Sequence, residues 1–302
     1  MFLAVFRKTI GDLSNPKLLL AYLLAFSTVL WFLALGFTGE MPDAINTLSL
    51  GEQEVELLSV YTSLAWFWGV GIALLAAGTL FVALTLATEA ERGTLDLLLS
   101  KPVRRWEVLI ATFVANVAYL FAIGVASLLL VAVAVFRMGG FSAAAIHGGV
   151  FAVLPGTALY ALLVCALVSA AGIAAGVFTR KRLQTAALTA IFPALFFALF
   201  VARVFPGDIY EDYSLYAIDL GYHLGNVYTL LLDATGEPMP VEVQAQLGFW
   251  TGVYEVPEEQ GSLEGSLELV GHVDPSVSLA LCLFLTFGLL GVALVQFQRM
   301  DI

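Results

Sequence analysis

Six stretches of this sequence carry essentially no charge and are each long enough to cross a lipid bilayer, which constrains the fold more than any other feature. They run from Leu18 to Gly39, Leu57 to Thr88, Val108 to Met138, Gly139 to Thr179, Leu183 to Ala202 and Pro275 to Gln298; Arg137 is the one interruption, near the end of the third. A hydrocarbon core about 30 Å thick is spanned by roughly 17–25 helical residues. Composition agrees: the 302 residues are 60% hydrophobic and 12% charged, with a mean hydropathy of +0.93, against about 45–50% and about 25% for a soluble domain. The expectation is an all-α integral membrane protein with six transmembrane helices, near 18–37, 64–88, 108–135, 150–178, 184–203 and 277–297. The second, third and fourth intervals exceed one crossing. Part of each is expected in the interface or a short loop, because tilt absorbs only some of the surplus.

Basic residues set the orientation. With the N-terminus in the cytoplasm, Arg7, Lys8, Lys17, Arg92, Lys101, Arg104, Arg105, Arg180, Lys181, Arg182 and Arg299 fall inside, and only Arg137 and Arg203 of the 13 fall outside. This matches the positive-inside rule. Six spans then place both termini in the cytoplasm of a multi-pass protein of the cell membrane. Carboxylates lean the other way, so the formal charge is +5 inside and −16 outside, which together make the net −11. The expected organisation is an interfacial helix at 1–16, spans one to five over 17–204 with a cytoplasmic loop at 89–106, an external acidic region at 205–276, and span six with a cytoplasmic tail at 277–302.

The external region carries 13 carboxylates and no Lys or Arg. Tyr213, Leu215, Tyr216, Ile218, Tyr222 and the run from Val227 to Leu232 supply apolar material for a small structured cap, and so long a connection calls for a fold of its own. Solvation accounts for its charge; recognition of a cationic ligand or divalent ions is the alternative. At the N-terminus, Phe2, Phe6, Ile10 and Leu13 share a helical face apart from Arg7, Lys8 and Asp12, the pattern of a helix lying among lipid headgroups. A frayed end with chance periodicity is the alternative. The first apolar stretch exceeds a signal-peptide core and five spans follow it, so it is read as an uncleaved helix.

Few residues suggest bond-making chemistry. Cys165 and Cys282 fall inside spans as small apolar residues, and His147, His223 and His272 stand far apart in sequence. No catalytic residue, metal or bound cofactor is expected. Ionisable groups are missing at mid-membrane depth, which argues against ion-coupled transport. Pro155 and Pro193 would open carbonyls for sodium at broken helices, but a kink or a helix start is the plainer reading. Ser169, Gly172 and Gly176 form a small-residue face for close helix approach, within the chain or between subunits. Asn116 and Tyr119, three residues apart, either bond across the bundle or line a pathway. Trp66 and Trp68 at one end of the second span and Trp106 at the start of the third read as interface anchors.

The most informative segment lies between spans two and three, from Glu89 to Glu107 (EAERGTLDLLLSKPVRRWE). Leu95, Leu98 and Leu99 amid dense charge predict a short amphipathic helix that ends before Pro102, since the residue preceding proline disfavours helical geometry. Such a helix docks on a soluble partner or lies on the membrane. Here the sequence resembles the permease subunits of type-two ABC transporters, in particular the exporter-like branch that includes the permease of the nitrous-oxide reductase maturation system. The resemblance rests on Glu91 to Leu99 (ERGTLDLLL), on Ser100, Lys101, Pro102, Arg105 and Trp106 in SKPVRRW, on the Phe-Arg-Lys start, on the six-span layout and on the tail from Phe297 to Ile302. Asp96 stands where that family often has Glu, Gln298 and Met300 dilute a usually more basic tail, and the long region between spans five and six is less typical.

The resemblance implies that Glu89 to Leu99 is a coupling helix fitting a groove on a separate ABC ATPase. Glu91, Arg92 and Asp96 would make polar contacts there, Gly93 and Thr94 would shape the turn, and Leu95, Leu98 and Leu99 would seat the helix. Lys101, Arg104 and Arg105 would anchor the loop at the cytoplasmic surface. Two ATPase copies, holding ATP and Mg, would drive two permeases, as a homodimer or a heterodimer, to open a substrate route outward. The chain has no Gly-x-x-x-x-Gly-Lys-Ser/Thr phosphate loop, so hydrolysis falls to the partner. Membrane lipid is the other expected contact, and no nucleic acid is expected. A membrane scaffold or assembly subunit without solute flux is one alternative function, and an ion-coupled transporter or channel is another.

Overall fold

The computed structural model describes residues 2–39, 41–95, 104–204, 209–235, 239–256 and 265–300. Within these residues the α-helices are, in order, α1 (Phe2–Leu13), α2 (Pro16–Thr38), α3 (Met41–Ile45), α4 (Leu50–Leu64), α5 (Leu75–Ala83), α6 (Leu86–Glu91), α7 (Arg105–Gly139), α8 (Ala152–Thr179), α9 (Arg182–Thr189), α10 (Ile191–Val204), α11 (Ile209–Asp212), α12 (Leu220–Thr235), α13 (Val241–Thr251) and α14 (Pro275–Arg299). A π-helical stretch, Ala65–Leu74, joins α4 to α5, and another, His147–Phe151, leads into α8. Among the described residues the only β pairing is an isolated bridge between Tyr254 and Leu269.

Among the described residues, six helical stretches are long and apolar enough to cross a membrane: Pro16–Thr38, Leu50–Glu91, Arg105–Gly139, His147–Thr179, Arg182–Arg203 and Pro275–Arg299. The second differs most from its expected limits. It starts at Leu50, where Ser49 and Glu52 form a reciprocal capping box, a strong helix-start signal. Glu52, Glu54 and Glu56 therefore belong to this helix, ahead of the charge-free interval that begins at Leu57. Trp66 consequently lies within that helix, fully buried, with its ring 4.9 Å from Phe196, so it is a core residue and not the interface anchor expected. Trp68 is half-buried and donates from Nε1 to the Phe26 carbonyl at 3.3 Å. Trp106, at the start of α7, stays exposed. The surplus length of the third interval is also helical: α7 runs for 35 residues, about 50 Å at 1.5 Å per residue.

The two prolines sit where a missing N–H costs least. Pro193 lies in the first turn of α10, where the amide has no intrahelical acceptor. Pro155 follows the change from π to α winding at the start of α8, a place where the regular ladder is already interrupted.

α8 is the centre of the bundle and packs against α14, α7, α12, α9 and α5. Close approach depends on missing side chains: a Cβ on Gly172 would come within 2.5 Å of Val82, and one on Gly156 within 2.8 Å of the Leu231 carbonyl. α12 is the unexpected member of this core. Its 16 residues are too few for a full crossing, yet nearly all of Leu220 to Thr229 is buried against α8, α10 and α14. His223 in its first turn lines one cavity with Cys282, two turns into α14, about 10 Å along that helix. The segment 205–276 thus contributes a helix to the bundle in addition to the hydrated surface expected of it. One end of the bundle gathers α1, α6, the start of α7, the α8–α9 corner and the end of α14, and is here called the basic end. α12, α13 and the segment from Gly265 to Asp274 pack at the other, acidic end.

Candidate functional site at the basic end

The second span stops being straight at Leu84–Thr85. Thr85 leaves helical geometry (φ −94, ψ −110) and turns its hydroxyl to the Val82 carbonyl at 2.7 Å. That hydroxyl accepts a long 3.5 Å bond from Nδ2 of Asn116 on α7, which is wholly buried. Tyr119, three residues on, meets Phe81 edge-on with ring centroids 5.4 Å apart. Asn116 and Tyr119 therefore both brace the end of α5 from α7.

Beyond the break, α6 is fastened on three sides. Leu86 and Ala87 are buried, and Ala87 lies 3.5 Å from where a Cβ on Gly176 would stand. Gly172 and Gly176 are thus used within the chain: they let α8 approach Val82 and Ala87, and they also face Thr189 and Thr185 of α9. Glu89 pairs with Lys8 of α1, and Lys8 also reaches Asp12 at 2.9 Å. Partial burial alone would lower the Lys8 pKa, but the hydrogen bonds and charges of Glu89 and Asp12 outweigh it and raise the ammonium above its ordinary value. Glu91 accepts through Oε2 from the Arg182 backbone N–H at 3.0 Å, at the start of α9.

The helix then ends. Gly93 has φ +70, a left-handed conformation that suits glycine, and Thr94 Oγ1 donates back to the Glu89 carbonyl at 3.2 Å. The amphipathic helix expected across 89–99 is therefore interrupted at Arg92–Gly93, because the chain turns before continuing into Thr94 and Leu95. Leu95 is buried in the protein's own core at 2% exposure, whereas Glu91, Arg92, Gly93 and Thr94 are exposed. Asp96, Leu98, Leu99 and Lys101 lie outside the described residues.

Arg104 is exposed just before α7. Arg105 does more than face the membrane surface: its Nη1 donates to the carbonyls of Phe297, Gln298 and Met300 at 3.3, 2.9 and 2.6 Å. It thereby supplies donors to the unpaired C-terminal carbonyls of α14, where a cation also suits the helix dipole.

At the acidic end lies a polar network that sequence reasoning missed. Arg203, at the end of α10, places Nε 2.9 Å from Oδ2 of Asp219, and both side chains are almost fully buried. Asp219 caps α12 by accepting at Oδ1 from the N–H groups of Gly221 and Tyr222 at 2.8 and 3.2 Å, and it accepts at Oδ2 from the Tyr210 hydroxyl at 2.8 Å. Burial, followed by the Asp219 charge, pushes the Tyr210 phenol well up. Arg203 Nη1 also donates to the Thr251 carbonyl that ends α13. Nearby, Ser278 of α14 accepts from Asn226 Nδ2 at 3.0 Å and bonds His223 Nδ1 at 3.0 Å. The available signal was Arg203 itself: it is one of only two basic residues on the acidic side of the partition, and Asp219 stands one residue ahead of a helix start.

Among the described residues no three His, Cys, Asp or Glu side chains converge as metal ligands. Among the described residues, six long apolar helices around a small-residue core define a multi-pass membrane protein. The chain belongs to a particular family within that class: the profile of the ABC-2 family transporter proteins matches residues 6–302. It is an ABC-2 membrane permease, a transport component. A search of curated proteins finds no match to the chain.

Proposed function

We propose that this chain is the membrane-spanning subunit of an ATP-driven exporter, coupling hydrolysis by a separate ATPase to movement of a substrate out of the cytoplasm. The observation that carries the reading is the position of the first five residues of ERGTLDLLL within an ABC-2 permease: Glu91 ends α6 at the basic end, and Arg92, Gly93 and Thr94 follow it exposed. On this reading the basic end and both termini are cytoplasmic, the acidic end is external, and the exporter-like branch that includes the nitrous-oxide reductase maturation permease is the nearest analogy. Two ATPases with ATP and Mg would close beneath two permeases and push on this segment in each.

The contact residues that the resemblance implies divide into two groups. Arg92, which is exposed, is assigned to the ATPase; on the resemblance alone Asp96 joins it there, with Leu98 and Leu99 seating the segment in its groove. Glu89 and Leu95 are assigned to holding it on its own bundle, because one faces Lys8 and the other is buried. Affinity purification from the native membrane is expected to bring down a stoichiometric ATPase. Combined charge reversal, Arg92→Glu with Asp96→Lys, is expected to release it while the permease stays inserted. Retention of the ATPase at normal affinity would sink the assigned contact.

A further inference from the structure

We infer that Glu91 is a positioning residue that delivers motion of the coupling segment to the fifth span, rather than a contact to the ATPase. This rests on the functional reading above and concerns what happens within the permease once the segment is pushed.

α9 starts without local help. Its N-cap, Lys181, makes no side-chain bond to the helix, and an ammonium has no acceptor to offer. The first amide of the helix, that of Arg182, is instead received by Glu91, 91 residues earlier in the chain. Acidic oxygens at a helix N-terminus satisfy an orphan donor and suit the dipole. The corner before α9 is stiff: Arg180 ends α8 with φ +53 and donates its N–H to the Gly176 carbonyl at 3.0 Å, and the Thr179 and Thr185 hydroxyls meet at 2.8 Å.

α6 has the shape of a short lever. It is a six-residue rod between two interruptions of helical geometry, at Thr85 and at Gly93. A push on Arg92 to Thr94 therefore acts through the Glu91 carboxylate on the start of α9, which continues into α10. That span is lightly buried along its length, 18% of its most apolar window against 78% for the second span and 72% for the fourth, and it is tied at its far end through Arg203 and Asp219. The load falls on the near end of that span, while its far end stays held by Arg203.

The bond can be deleted from either side. Glu91→Ala removes the acceptor and Glu91→Gln keeps a carbonyl oxygen. Arg182→Pro removes the donor at the first helical position, where proline is well tolerated, and Lys181 before it is already extended (φ −133, ψ 125), as a residue preceding proline must be. Arg182→Ala keeps the N–H and loses only the charge. Each variant would be purified with its ATPase, and backbone hydrogen exchange would be followed over residues 182–195 with and without ATP. The expected result is an ATP-dependent change in exchange over 182–195 in the wild type, Glu91→Gln and Arg182→Ala, and its loss in Glu91→Ala and Arg182→Pro with the ATPase still bound. Basal exchange at the first amides of α9 should rise about 5-fold in the latter two, as for loss of a helix cap. Release of the ATPase by Glu91→Ala, or an ATP-dependent change that persists in Arg182→Pro, would overturn the inference. A wild-type preparation that contains no ATPase would overturn the functional reading and this inference with it.

Discussion

The two ends of the bundle hold their elements together with similar bonds in different surroundings. At the acidic end, Arg203, Asp219, Asn226 and Ser278 sit inside the protein and tie α10, α12, α13 and α14 together. At the basic end, Lys8 and Glu91 make their contacts at the surface, to Glu89 of α6 and to the Arg182 amide of α9. Removing one partner of a buried ion pair strands a charge and costs several kcal/mol, whereas exposed pairs contribute about 0–1 kcal/mol and weaken with salt. One end is therefore built to stay assembled, and the other to yield to a modest force. That asymmetry suits a permease pushed from its basic side.

The largest expected effect breaks the acidic end. Asp219→Ala leaves Arg203 buried and uncompensated and should cost about 3–5 kcal/mol, read as a lower midpoint of thermal unfolding in detergent. The double change Arg203→Met with Asp219→Leu should recover much of that loss. If Asp219→Ala melts like the wild type, the lock is not where stability resides. Next comes the packing that both ends share: Gly172→Val drives a side chain into Val82, and such overpacking costs about 1–3 kcal/mol, visible in the same melting experiment.

Smaller changes probe the basic end alone. Arg105→Ala removes the donor to three carbonyls at the end of α14 and should cost about 0.3–1 kcal/mol. Faster hydrogen exchange confined to the last turn of α14 would be its signature; an unchanged profile there would show that the clasp is idle. The smallest effect concerns pH. Because the folded-state pKa of Lys8 is raised, its contribution is fully present below the ordinary lysine pKa and is lost as pH rises through the folded value. Zero-length cross-linking of Lys8 to Glu89 should proceed at neutral pH in low salt and fall in high salt, and the α1–α6 contact should loosen only in strong alkali. Loosening near pH 7 would contradict the pairing.

Much of this was legible in the sequence because lipid imposes a simple rule: uncharged helices of sufficient length. That rule located six crossings, and the charge partition pointed to the loop from Glu89 onward. It failed where burial inside the protein substitutes for lipid. α12 is too short to register as a span, and its Tyr222, His223, Asn226 and Thr229 look polar until their partners are known: the Val273 amide, Ser278 of α14 and the Asn226 carbonyl of the same helix. The start of the second span was missed because Glu52, Glu54 and Glu56 break the apolar run, although Ser49 followed three residues later by Glu52 is a capping box in plain sight. Trp66 was misplaced for the same reason. Gly172 and Gly176 were recognised as a packing face, but spacing along one helix does not identify the partner, which proved to be Val82 and Ala87 of the same chain.

The central claim is that an ATPase meets this permease at the basic end and nowhere else. A photo-cross-linking residue placed at Thr94 tests it directly when compared with one at Tyr213, which is 74% exposed at the acidic end. Irradiation of native membranes should join position 94 to a single protein that carries a phosphate loop, with no such product from position 213. An ATPase captured from position 213, or none from position 94, would contradict the account.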